Sequence, residues 1–127
     1  MSAQTGTLMI ALVEDDAAAG LVSQINPEGV ELAITRCVLH VRTVATAAAT
    51  VNVGVAATAV SADTLIDGVD VHTAEGVFDN IINKGSNGKE LLSWPVGQYL
   101  TASEASGAIE GIEGELHVEY IRLEEPE

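Results

Sequence analysis

Val, Thr and Ile recur at alternate positions along most of this chain, in short runs punctuated by Gly, Asn and Asp, the pattern of antiparallel strands. Six or seven strands are expected. The first covers residues 7–13, where Leu8, Ile10 and Leu12 alternate with Met9, Ala11 and Val13, so both faces are apolar. A strand of that kind is buried on both sides or lies against another subunit. Glu14, Asp15 and Asp16 end it, Asp16 suits the cap of a short turn over residues 17–19, and the stretch from Gly20 to Asn26 reads as a connector. Pro27 and Gly29 introduce the longest strand, residues 30–44. Its inward positions run Val30, Leu32 and Ile34 but continue as Cys37, Leu39 and Val41, a change of phase near Thr35 and Arg36 that a β-bulge, or a strand passing from one packing environment to another, would produce. Residues 48–57 set Val51, Val53 and Val55 on one face against Asn52, Gly54 and Ala56 on the other, and the mid-strand glycine predicts close approach by a neighbour.

Residues 61–66 suit a capped helical turn with Ser61 or Asp63 at its N-cap, and Asp67-Gly68 suits a turn. A short strand over residues 76–83 leads into a hairpin loop, residues 84–89, with Asn87-Gly88 at its tip, and residues 91–94 are expected to pair back onto that strand. Residues 98–103 form another strand and residues 104–114 a polar loop. The last strand, residues 115–123, sets Leu116, Val118 and Tyr120 against Glu115, His117 and Glu119, the clearest alternation in the chain. Turn signals about every 8 to 12 residues favour an all-β fold, an antiparallel two-sheet β-sandwich, jelly-roll-like. Its expected organisation is an N-terminal arm or strand with its connector in residues 1–26, the sandwich in residues 27–123 and an acidic tail in residues 124–127.

Composition sharpens this reading. The chain has 127 residues and is 47% hydrophobic, yet only 3% aromatic, with 18 Ala and 15 Val carrying much of the apolar count. Small side chains each bury little area, so the core is thin for a monomer and contact with neighbouring subunits would complete it. Nineteen acids against five Lys plus Arg give a formal charge of -14, which with this much apolar content describes a folded protein with an acidic surface. Such a field repels phosphate, and Arg36, Arg42, Lys84, Lys89 and Arg122 are too scattered to make a basic patch, so nucleic acid and anionic membrane surfaces are excluded as partners. No apolar run approaches the roughly 20 residues of a membrane-spanning helix, and no basic n-region precedes the first apolar stretch.

Candidate chemistry is sparse. His40, His72 and His117 are far apart and form no ligand-spaced pair, and Cys37, the single cysteine, sits among apolar neighbours as a buried small hydrophobe. Asp63, Asp67 and Asp70, with Glu75 and Asp79, are weak candidates for a calcium or magnesium site, although caps and Asx turns account for them better. Glu110, Glu113 and Glu115 lack the aromatic platform a sugar site wants, and no glycine-rich phosphate loop occurs. No catalytic residue, cofactor or metal is expected, and the chain is read as a non-enzyme.

The stretches Ala-Ala-Thr-Val-Asn-Val-Gly-Val-Ala at residues 48–56, Ser-Ala-Asp-Thr-Leu-Ile-Asp-Gly-Val-Asp at 61–70 and Thr-Ala-Glu-Gly-Val-Phe-Asp-Asn at 73–80 resemble a family of small tailed-bacteriophage virion proteins, the head decoration or capsid cement proteins. Gly-Ser-Asn-Gly at 85–88, Tyr-Leu-Thr-Ala-Ser at 99–103 and Glu-Tyr-Ile at 119–121 extend the likeness over about residues 30–123. The resemblance implies a β-sandwich subunit on the outer surface of the capsid, often a homotrimer, that binds the major capsid protein and stabilises the head. Leu8, Met9, Ile10, Leu12 and Val13 are then the expected capsid or inter-subunit contact, by strand pairing. A tail or fibre-associated virion protein and a carbohydrate-binding or hydrolytic sandwich are the alternatives; an exposed platform of Trp94, Tyr99 and Tyr120 would favour the sugar reading.

Overall fold

The computed structural model describes residues 5–13, 20–58, 62–107 and 109–123, and among these there are nine strands and no helix. They are β1 (Thr5–Ala11), β2 (Gly20–Ile25), β3 (Leu32–Thr43), β4 (Ala49–Ala56), β5 (Ile66–Asp70), β6 (Gly76–Asp79), β7 (Leu92–Trp94), β8 (Tyr99–Gly107) and β9 (Glu113–Arg122). One sheet has the order β1-β9-β3-β6, with β7 also on β3, and the other has the order β2-β8-β4-β5. Every pairing is antiparallel.

β6 and β7 occupy successive stretches of one edge of β3: Gly76 to Asp79 lie opposite Val41 to Val38, and Leu92 to Trp94 lie opposite Ile34 to Leu32. They act as a single edge strand interrupted by the excursion 81–91. Counted so, the chain crosses between sheets in the order of a jelly roll, the expected architecture. Asn80 fills the interruption. Its backbone N–H reaches the Cys37 carbonyl at 3.2 Å, its Oδ1 accepts from the Cys37 N–H at 2.9 Å, and its Nδ2 donates to the carbonyls of Lys89 and Glu90 at 3.0 and 3.2 Å.

The core lies between the two sheets. β3 contributes Leu32, Ile34, Cys37, Leu39 and Val41, β9 contributes Leu116, Val118 and Tyr120, and Val51, Val53, Leu100 and Ala102 face them from the second sheet. Trp94 is the largest wholly buried side chain, and its indole N–H is satisfied by the Gln98 carbonyl at 2.9 Å. The inward set of β3 changes phase where expected: its register on β9 shifts between Ile34 and Arg36. The close approach at Gly54 also holds, since a Cβ there would stand 2.5 Å from Thr64 Oγ1 and 2.6 Å from its backbone nitrogen.

Four local expectations are corrected. The supposed connector contains β2, which pairs with β8 and places Leu21 and Val22 in the core, so residues 20–26 belong to the sandwich rather than to an arm. Residues 62–65 form no helical turn; Leu65 hydrogen-bonds to Val53 and leads into β5, where Asp67-Gly68 lies inside a bulged strand, Gly68 having φ +77°. Residues 91–94 do not pair with β6, because both segments are bonded to β3. β8 continues to Gly107, shortening the expected polar loop. The end of the first strand and the short turn expected over residues 14–19, the N-cap expected at Ser61 and the acidic tail, residues 124–127, lie outside the described residues.

Candidate interaction edge

β1 lies at the end of its sheet, paired on one side with β9 from Thr5 opposite Ile121 to Ala11 opposite Glu115. Leu12 donates to the Gly114 carbonyl at 3.0 Å, whereas the N–H of Val13 points the other way, to the Leu21 carbonyl at 3.0 Å. Backbone groups alternate sides along a strand. Gly6, Leu8 and Ile10 therefore bond to β9, and Thr7, Met9 and Ala11 turn both N–H and C=O outward. The carbonyl of Thr5 is already taken by Arg122 at 3.0 Å. The seven residues Thr-Gly-Thr-Leu-Met-Ile-Ala carry no charge and no proline, so the strand itself lacks two of the devices that ordinarily block strand addition.

The start of β1 is fixed by a cluster joining it to β9. Arg122 Nε bonds to Glu28 Oε1 at 3.0 Å, and the Tyr120 hydroxyl donates to Glu28 Oε2 at 2.5 Å. Hydrogen bonding to Arg122, then to Tyr120, holds the Glu28 carboxyl below its ordinary range, while burial together with Glu28 raises Tyr120 to about 12. Gly6 packs on the Tyr120 ring, where a Cβ would stand 2.6 Å from Cζ. No larger residue fits there without moving the ring.

The outer face of the same sheet gathers charge. Glu115 Oε1 meets His40 Nδ1 at 2.5 Å and His117 Nε2 at 3.6 Å, and Arg42 Nε donates to Glu115 Oε2 at 3.0 Å. The His40 hydrogen bond, followed by that from Arg42, depresses the Glu115 carboxyl to about 2. Arg36 pairs with Asp79 at 3.2 Å one strand further on. Two histidines far apart in sequence thus meet, a convergence set by the register of β3 on β9, which no local spacing announces. Among the described residues no group of three His, Cys, Asp or Glu can hold a metal ion.

The other edges are engaged in part. Asp79 on β6 has its N–H bonded to Asn83 Oδ1 and its carbonyl to the Asn83 N–H, both at 3.0 Å. Beyond β5, the 81–91 excursion supplies the Lys84 carbonyl to the Asp67 N–H and the Lys89 N–H to the Thr64 carbonyl, at 3.1 and 2.8 Å. On β2, Val13 occupies the Leu21 carbonyl and the Gln24 side chain occupies that of Ile25.

The five residues expected to form the contact divide by parity. Leu8, Ile10 and Leu12 pack inward on the core, whereas Met9 and Val13 are 71% and 67% exposed. Sequence reasoning missed Thr7 and Ala11, whose outward backbone groups depend on the register with β9. The acidic candidates divide: Asp63 and Asp67 both accept from Asn87 of the 81–91 excursion, a long-range tie rather than a cap or turn, whereas Asp70 accepts from the N–H groups of His72 and Thr73 and from the Thr73 hydroxyl, as an Asx turn does. Trp94 and Tyr120 are buried, so they form no exposed platform with Tyr99. Cys37 is fully buried, and burial pushes its thiol up to about 12.

Comparison of the chain with models of known families, with curated proteins and with solved structures finds no match.

Proposed function

We propose that this protein is a non-enzymatic structural subunit of a tailed-phage virion, a head decoration protein that sits as an oligomer on the outer capsid surface, contacts the major capsid protein and stabilises the head. The observation that carries the reading is the open, uncharged edge of β1, where a neighbouring strand can add through main-chain hydrogen bonds. Jelly rolls also serve as lectins and cupins, and the fold by itself admits all three. Two features favour assembly. Among the described residues apolar side chains fill the space between the sheets and no His, Cys, Asp or Glu group suits a cupin-like metal, and Trp94 and Tyr120, two members of the platform a sugar would stack on, are inside. The net charge of -14 keeps the remaining surface soluble on a crowded particle.

Quantitative mass spectrometry of purified particles tests this by counting the chain against the major capsid protein. A copy number comparable to that of the capsid protein is expected; a handful of copies places the chain in the tail or a fibre, and none overturns the virion reading. Met9→Lys, which guards the edge with a charge, is expected to lower particle occupancy while leaving the fold intact.

A further inference from the structure

We propose that β1 pairs with β1 of a second copy of this chain, antiparallel about a two-fold axis, with Met9 opposite Met9 and Thr7 opposite Ala11. This rests on the reading of the β1 edge as a contact and goes further by naming its occupant and its register. Thr7, Met9 and Ala11 each present an N–H and a C=O away from β9, and they are evenly spaced about Met9. With Met9 at the axis, Met9 exchanges both of its bonds with its symmetry mate, and Thr7 and Ala11 exchange theirs with each other, so every one of these groups is satisfied in both copies. A shift of register leaves some of them unpaired.

Three further observations point to the chain itself as partner. The strand is uncharged, so two copies of a chain with a net charge of -14 bring no like charges face to face along it. Leu8 and Ile10, half-buried in one copy, come to lie opposite each other across the axis on the core side, and the partner strand covers them further. Finally, a head-to-tail ring requires a second, different open edge, and β6, β5 and β2 each have part of their outward backbone engaged, at Asp79, at Asp67, and at the carbonyls of Leu21 and Ile25. A self-complementary contact gives a closed pair.

Sedimentation equilibrium of the full chain at micromolar concentration is expected to give twice the 13.1 kDa chain mass. Met9→Lys should sediment as a monomer with a cooperative melt, and Ile82→Lys, on the opposite side of the sheet, should remain paired. Cysteine cross-linking reads the register. Residues directly opposite in a hydrogen-bonded pair have Cα atoms about 5.5 Å apart, within disulfide reach, whereas Thr7 lies roughly 13 Å from its own mate. Met9→Cys should therefore cross-link to itself under mild oxidation. Thr7→Cys should cross-link only when mixed with Ala11→Cys, and the native Cys37 is buried and silent. A monomeric wild type, a trimer indifferent to Met9→Lys, or self-cross-linking of Thr7→Cys overturns the proposal. Pairing without presence on particles defeats the virion reading alone, and presence on particles by a chain monomeric in solution defeats this inference alone.

Discussion

Asn80 concentrates three hydrogen bonds in one side chain, so its loss should be costly. It is wholly buried, and beside the bond from its backbone N–H its side-chain amide makes three that tie the end of β6 to the middle of β3 and to the approach to β7. Asn80→Ala removes them together. Lys89 and Glu90 are exposed residues whose carbonyls can turn to water, but Cys37 is fully buried and its N–H donates to Asn80 Oδ1, out of reach of solvent. One unsatisfied buried amide costs about 1–3 kcal/mol, and losing the anchor of the excursion adds a further fraction, giving about 2–4 kcal/mol in all. That is a large part of the roughly 5–15 kcal/mol by which a domain is stable. For a chain of this length it corresponds to a fall in Tm of roughly 8–15 °C. Urea unfolding measures it as a lower midpoint at unchanged m-value, and hydrogen exchange should show protection at the Cys37 amide falling further than at Leu39. Asn80→Asp keeps the acceptor for Cys37 but sets an ionised carboxylate against two carbonyl oxygens, so it should be no better at neutral pH and partly recover on acidification. A loss under about 1 kcal/mol for Asn80→Ala would refute this reasoning, because it would mean that Cys37 finds another partner at little cost.

Three further expectations follow from the site. Gly6→Ala drives a methyl group into the Tyr120 ring, which the Glu28 bond holds in place, so stability should fall by about 1–2 kcal/mol despite the lower entropy of the unfolded alanine chain; an unchanged or raised Tm speaks against the close contact. Cys37 should resist thiol reagents in the native protein at pH 8 and react fully once unfolded, and rapid native labelling would contradict its burial. The Glu115 carboxyl is ionised more readily folded than unfolded, so its contribution is complete above the ordinary carboxylate range near 4.5 and is lost as pH falls from there toward 2. Glu115→Gln should accordingly flatten the acid limb of a pH–Tm profile, and a limb of unaltered slope would show that His40 and Arg42 confer nothing on the carboxylate.

What could be read from the chain follows from where each signal resides. The bulge in β3 shows in sequence because an inserted residue moves every later apolar position to the opposite parity, from Ile34 to Cys37. β9 is clear because one face meets the core and the other meets water along its whole length. β2 was hidden because a bulge beside Gly20 puts Leu21 and Val22 inside together, which destroys alternation in a six-residue strand. β5 was hidden by Asp67-Gly68, a turn dipeptide that here supplies a positive φ to a bulge. The β6–β7 error is of another kind: each segment was recognisable, but its partner is set by β3, some forty to sixty residues away, and no local pattern encodes that choice. The interaction edge shares this limit. Apolar residues 8–13 mark the strand, but which alternate set faces outward is decided by the last strand of the sandwich.

That dependence has a temporal side. On a ribosome, β1 emerges well before its ladder partner, β9, since Thr5 lies opposite Ile121. At about 5–20 residues per second, the roughly 100 residues between them keep the N-terminal segment waiting roughly 5–20 s for its place in the sheet. Through that interval an uncharged, strand-forming segment is free on both sides, and nascent chains on one polysome hold many such segments close together. An edge that in the finished sandwich is open on one side is, during synthesis, a two-sided hazard whose closure waits on a strand made about a hundred residues later.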